Sequence, residues 1–110
     1  MTTTVTLPIR LRKTRVRIDE ARDNWEKYNL TDETHIGEVT MPKNDVGFAR
    51  VGIARTFNLG NYESLRLEVS VELPTPSGQI EDALVDAKEI AKDALIAFTE
   101  EALGDDHGGE

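Results

Sequence analysis

Apolar and polar side chains alternate most cleanly between residues 47 and 73. Ala49, Val51, Ile53 and Phe57 share one face of a predicted strand. Leu65, Leu67, Val69, Val71 and Leu73 share one face of the next, with Arg66, Glu68, Ser70 and Glu72 on the other side. A period of two marks strands with one buried face, and a slip of one residue would turn all five aliphatics of the second strand to water. Asn58-Leu59-Gly60-Asn61-Tyr62 separates the two, and Gly60 and Asn61 tolerate positive φ, so the pair reads as a long hairpin. With Asn58 paired to Tyr62, Arg50 falls opposite Ser70, with Glu68 and Glu72 on the diagonals. Phe48, Arg50, Tyr62 and Arg66 then share the outward face.

The flanking segments complete an α+β pattern. Val5, Leu7, Ile9 and Leu11 alternate with polar residues as a first strand, and Pro8, lacking an amide donor, places that strand at a sheet edge or makes it begin late. From Ile18 the spacing changes: Ile18, Ala21, Trp25 and Tyr28 recur at three and four, which predicts a short helix over 19–29. Thr31–Thr34 reads as a turn, His35–Met41 as a short strand, and Pro42-Lys43-Asn44-Asp45 as a second turn. After Pro74-Thr75-Pro76-Ser77-Gly78, a long helix is predicted over 79–103, with Ile80, Leu84, Ala87, Ala91, Ala94, Leu95 and Phe98 as its apolar stripe and Ser77 as a candidate N-cap. Residues 104–110 read as a disordered acidic tail to a single domain, 1–103. The expected fold is an antiparallel sheet of about four strands with the C-terminal helix on one face and a short helix after the first strand.

Charge changes this picture by its distribution. Residues 1–30 carry seven Lys/Arg against four Asp/Glu, residues 31–78 four against seven, and residues 79–110 two against ten, for a formal net charge of −8. Opposite ends either attract across the fold or keep it dissolved. The chain has no cysteine and two histidines, His35 and His107, without partners at ligand spacing. No phosphate-binding glycine loop, nucleophile elbow or zinc motif is present, so neither metal nor cofactor nor catalysis is expected. No run of residues is apolar enough to cross a bilayer as a helix, the N-terminal residues lack a signal-peptide pattern, and the absence of cysteine fits a reducing cytoplasm.

Two surfaces remain as candidates for binding. The run Arg10, Arg12, Lys13, Arg15 and Arg17, with Phe48, Arg50, Tyr62 and Arg66 on the hairpin, supplies the cations and rings of a single-stranded nucleic-acid platform. The same arginines can instead form cross-strand pairs with Glu68 and Glu72, or pair with the acidic helix. On that helix Glu81, Asp82, Asp86, Glu89 and Asp93 could meet a protein partner, or imitate DNA toward a host defence protein. Arg55 stands as the one basic residue predicted on an otherwise apolar face, where it would snorkel or mark a bulge.

The stretch Arg55-Thr56-Phe57-Asn58-Leu59-Gly60-Asn61-Tyr62-Glu63-Ser64-Leu65-Arg66-Leu67-Glu68-Val69 resembles a segment of small uncharacterised bacteriophage and prophage proteins. In these an N-L-G-N-[YF]-E-S hairpin precedes a strand ending in Leu-Pro and a C-terminal helix. The resemblance covers roughly residues 50–100. It implies a viral or mobile-element accessory protein, in the host cell cytoplasm if viral, without bringing an activity or catalytic residues. The leading expectation is a non-enzymatic accessory protein that binds another macromolecule, most simply a protein, as a homo-oligomer.

Overall fold

A computed structural model describes residues 3–19, 26–60 and 63–107 of the chain. Four strands, β1 (Thr4–Asp19), β2 (Glu26–Pro42), β3 (Gly47–Gly60) and β4 (Glu63–Thr75), form one antiparallel sheet in the order β2-β1-β4-β3. A single 3₁₀ turn over Ser77–Gln79 leads into one long helix, α1 (Ile80–His107). Strands of 13 to 17 residues at about 3.3 Å per residue give an elongated body of 62 × 26 × 20 Å.

The hairpin of β3 and β4 forms because its alternation can be satisfied only when one face is covered. Leu65, Leu67, Val69, Val71 and Leu73 are all buried, and Ala49, Val51, Ile53 and Phe57 lie opposite Leu73, Val71, Val69 and Leu65 on the same face. Over this face runs α1, which presents Ala83, Ala87, Ala91, Phe98 and Ala102. Four alanines in that row let the helix backbone come close to the β4 aliphatics, each worth about 1.5–3 kcal/mol when fully buried. Leu84, predicted in the stripe, lies at its margin and stays 38% exposed. The helix starts close to the sheet because of Gly47, where a Cβ would stand 3.3 Å from Ile80 Cδ1 and from the Thr75 carbonyl oxygen. Asp45 ties the β2–β3 turn to that start. Its Oδ1 accepts from the Ser77 backbone N–H at 3.1 Å and from the Ser77 hydroxyl. Ser77 is thus held by Asp45, and the position before the 3₁₀ turn is Pro76, which makes no side-chain cap.

The N-terminal half departs from the expected pattern. No helix occupies 19–29 among the described residues: β1 runs to Asp19 and β2 starts at Glu26, while residues 20–25, including Ala21 and Trp25, lie outside the described residues. Residues 31–34 are not a turn but the middle of β2, opposite Thr14, Lys13, Arg12 and Leu11. Ladder pairing of a sixteen-residue β1 on both sides outweighs a three-and-four spacing that is too short to bury a helix stripe of its own. β1 is therefore interior, not an edge. Pro8 is accommodated because β4 pairs with β1 only from Arg10 to Asp19, so the missing amide faces no partner strand on that side. A bulge at Ile36, between the pairs Ile9–Gly37 and Arg10–His35, keeps β2 in register beyond this point.

The β3–β4 hairpin forms, but its register differs by two residues from the expected one. Asn58 pairs with Ser64, and Gly60 with Glu63, so Arg50 lies opposite Glu72 and not Ser70. Gly60 has φ 79°, and its N–H donates to Asn58 Oδ1 at 2.9 Å. At the other end of the chain α1 continues past Leu103 to His107, so residues 104–107 belong to the helix and not to a tail.

Candidate binding face of the sheet

The register divides the basic run of β1 between two faces. Leu11, Lys13, Arg15 and Arg17 stand opposite Val71, Val69, Leu67 and Leu65, on the side that carries α1. Arg10 and Arg12 stand opposite Glu72 and Ser70, on the side that no element covers among the described residues. A strand pleat makes this split unavoidable, since neighbouring side chains point to opposite faces.

On the helix side the cations are used internally. Lys13 Nζ and the Arg15 guanidinium lie 5.4 and 6.0 Å from the Phe98 ring centre, and Lys13 reaches Glu101 at 3.9 Å. Arg17 pairs with Glu63 at 3.0 Å. Their long stems cover an aromatic edge that an aliphatic would otherwise cover. Arg55 lies on this face too, over the Phe57 ring at 5.0 Å, with no bulge beside it. Among the described residues it is therefore one of four basic residues on the helix side, not the single exception.

The open side gathers a different set. Across the strands Glu72 sits between Arg10 on β1 and Arg50 on β3, and Arg50 Nη2 donates to Glu72 Oε1 at 3.1 Å. One row further, Arg12 lies opposite Glu33 of β2, 3.9 Å away, and Arg66 Nε donates to Glu68 Oε1 at 2.7 Å. Among the described residues Arg10 makes no ion pair of its own. Between these rows the floor is made of small side chains: a shallow trough is lined by Arg12, Thr14, Gly52, Ala54, Arg66 and Ser70. Phe48 is 42% exposed at the end of the face, with the Arg50 guanidinium 5.8 Å from its ring centre. Tyr62 lies outside the described residues.

Sequence reasoning thus places Phe48, Arg50 and Arg66 together correctly, and adds Lys13, Arg15 and Arg17 to a face they do not share. It places Ser70 on the outward face but misses Gly52, Ala54 and Thr14, whose smallness opens the trough; the only signal for them was the lack of large residues at those outward positions. Four arginines interleaved with three glutamates give a checkered surface, not a continuous cation track.

The acidic candidates of α1 are exposed. Helical spacing puts Asp82, Asp86, Glu89 and Asp93 toward the flank of Glu101, which faces β1, and Glu81 on the opposite flank. No group of three or more His, Cys, Asp or Glu among the described residues is arranged to hold a metal ion, and no helix is long and apolar enough to cross a membrane. Compared with known proteins, the chain matches no family model and has no significant match among curated proteins or solved structures.

Proposed function

We propose that this chain is a non-catalytic binding module that engages another protein through the uncovered face of its sheet, in the setting of a phage or prophage accessory protein that the hairpin resemblance implies. The observation that carries this reading is the checkered trough: Arg10, Arg12, Arg50 and Arg66 alternate with Glu33, Glu68 and Glu72 around a floor of Gly52, Ala54 and Ser70. Mixed charge at fixed spacing selects a partner with the complementary pattern and sets its register. A small-residue floor admits the partner's side-chain ridge.

A single nucleic-acid strand fits this face less well. Backbone phosphates all carry one sign, so Glu33, Glu68 and Glu72 oppose them, and the net charge of −8 repels a polyanion at long range. Phe48 is the one described aromatic on the face, where single-strand platforms stack successive bases on several.

Affinity capture from host lysate, with and without nuclease, tests the reading against the double charge reversal R12E/R66E. A discrete protein retained by the natural chain despite nuclease, and lost by the variant, is the expected result. Retardation of labelled single-stranded DNA at low salt, weakening steeply as salt rises, would instead assign the face to nucleic acid.

A further inference from the structure

The two edges of the sheet are unlike. β2 is guarded by the Ile36 bulge, by Asp32, Glu33 and Glu38, and by Pro42 at its end; such features discourage pairing with a further strand. β3 has neither proline nor acid, and its one irregularity, at Leu59, lies beside the hairpin turn, so Gly47–Asn58 stays regular. It is fourteen residues long and among the described residues pairs only with β4, so its outer row of backbone N–H and C=O groups is open along Gly47–Gly60.

From this edge we infer that two copies of the chain join by antiparallel pairing of β3 with β3, about a twofold axis at Ile53, into a continuous eight-stranded sheet. An isologous pair must keep each facing couple on one side of the sheet, and the register centred on Ile53 overlaps almost the whole strand. On the helix side it sets Phe57 opposite the small Ala49, and Arg55 opposite Val51. On the open side Gly52 meets Ala54, and Arg50 meets Thr56. No two charges face each other.

The helix supplies a second, independent observation. α1 packs over both β3 and β4, so its axis stands about one strand spacing from the twofold, and the two helices come to rest about 10 Å apart, the separation of packed helices. The flank of α1 turned to that axis is the one away from Glu101 and β1. It carries Leu84 and Leu95, with Val85 above them, and Val85 is 62% exposed in the single chain. Lys88 and Lys92 on the same flank keep their ammonium groups in water above the seam while their stems lie along it. Exposed aliphatics on the helix and an open strand edge thus lie on one side of the molecule, and one symmetry operation covers both. The pairing leaves the open face of each sheet free, so it stands or falls apart from the proposed partner binding.

The natural chain has no cysteine, which makes the geometry directly testable. Residues facing each other across an antiparallel pair have Cα atoms about 4.5–5.5 Å apart, within disulfide range. Under mild oxidation the full chain with Ile53→Cys should become a covalent dimer, while Thr34→Cys on the β2 edge should stay monomeric. Light scattering of the natural chain at high micromolar concentration should report twice the 12.3 kDa chain mass. The double substitution L84E/V85E should raise the dimer dissociation constant roughly tenfold or more with its circular dichroism unchanged. A natural chain that stays monomeric overturns the inference, as does a dimer that cross-links through Thr34→Cys and not through Ile53→Cys.

Discussion

Gly60 holds φ 79° at the tip of the β3–β4 hairpin, and Gly52 sits in the middle of β3 with open space where a side chain would stand. The two glycines therefore respond oppositely to a side chain. Gly60→Val should cost about 1–2 kcal/mol, since a β-branched residue is strained at that angle, and thermal denaturation should show a fall of several degrees. Gly52→Ala removes unfolded-state freedom without a clash and should leave stability unchanged or raise it by up to about 1 kcal/mol. Charges on the open face follow another rule. Arg50, paired with Glu72 across the strands, has a side chain 73% exposed, and exposed pairs contribute about 0–1 kcal/mol. Arg50→Gln should hardly move the midpoint; any loss of partner capture by this variant is then a loss of recognition, not of folding.

Between β4 and α1 the contact is aliphatic against alanine. Leu67 and Ala91 are both 0% exposed, so neither can change size without moving a neighbour. Leu67→Ala should lower stability by about 2–5 kcal/mol through lost burial and a residual cavity. Ala91→Leu should lower it by about 1–3 kcal/mol by forcing the helix off the sheet. Urea denaturation should show both as a reduced midpoint with an unchanged slope. These elements were legible in the sequence because each carries its own periodicity: five alternating aliphatics in β4, and apolar positions at three and four in α1. β1 was only half legible. Its period of two continues through Lys13, Arg15 and Arg17, but with basic residues at the covered positions, where their stems and the Phe98 ring replace an aliphatic contact. Alternation between basic residues and Thr14, Val16 and Ile18 reads as decay. The short helix over 19–29 was read from Ile18, Ala21, Trp25 and Tyr28, a spacing that says nothing of the strands available to pair with Asp19 and Glu26 on either side of the connection.

As a whole the molecule is long and thin. Its radius of gyration is 17.7 Å, against roughly 13 Å for a compact domain of about this length, so much of the sheet lies near an edge or a surface. Joining two copies along β3 would bury the unguarded edge together with the exposed flank of α1. Because dimer formation stabilises by mass action, the thermal midpoint should then rise with protein concentration, and scanning calorimetry over a hundredfold dilution checks this. The candidate face was legible in part. Phe48, Arg50 and Arg66 were placed on it by alternation alone, and the joining of Arg10 and Arg12 to them, with Lys13, Arg15 and Arg17 on the other side, followed from the β1–β4 register.

By itself the sequence determined which side chains of β3 and β4 and most of those of α1 turn inward, that β3 and β4 join as a hairpin, and that the charge is split between the ends. Those properties are local: a pleat or a helical turn fixes them within a few residues, and water enforces them. Only the tertiary structure decided that β1 lies inside the sheet, that Asn58 meets Ser64, and that one run of arginines serves two faces. Strand neighbours and register join residues dozens of positions apart, and their choice depends on the summed pairing and burial of every strand at once, which no local pattern contains.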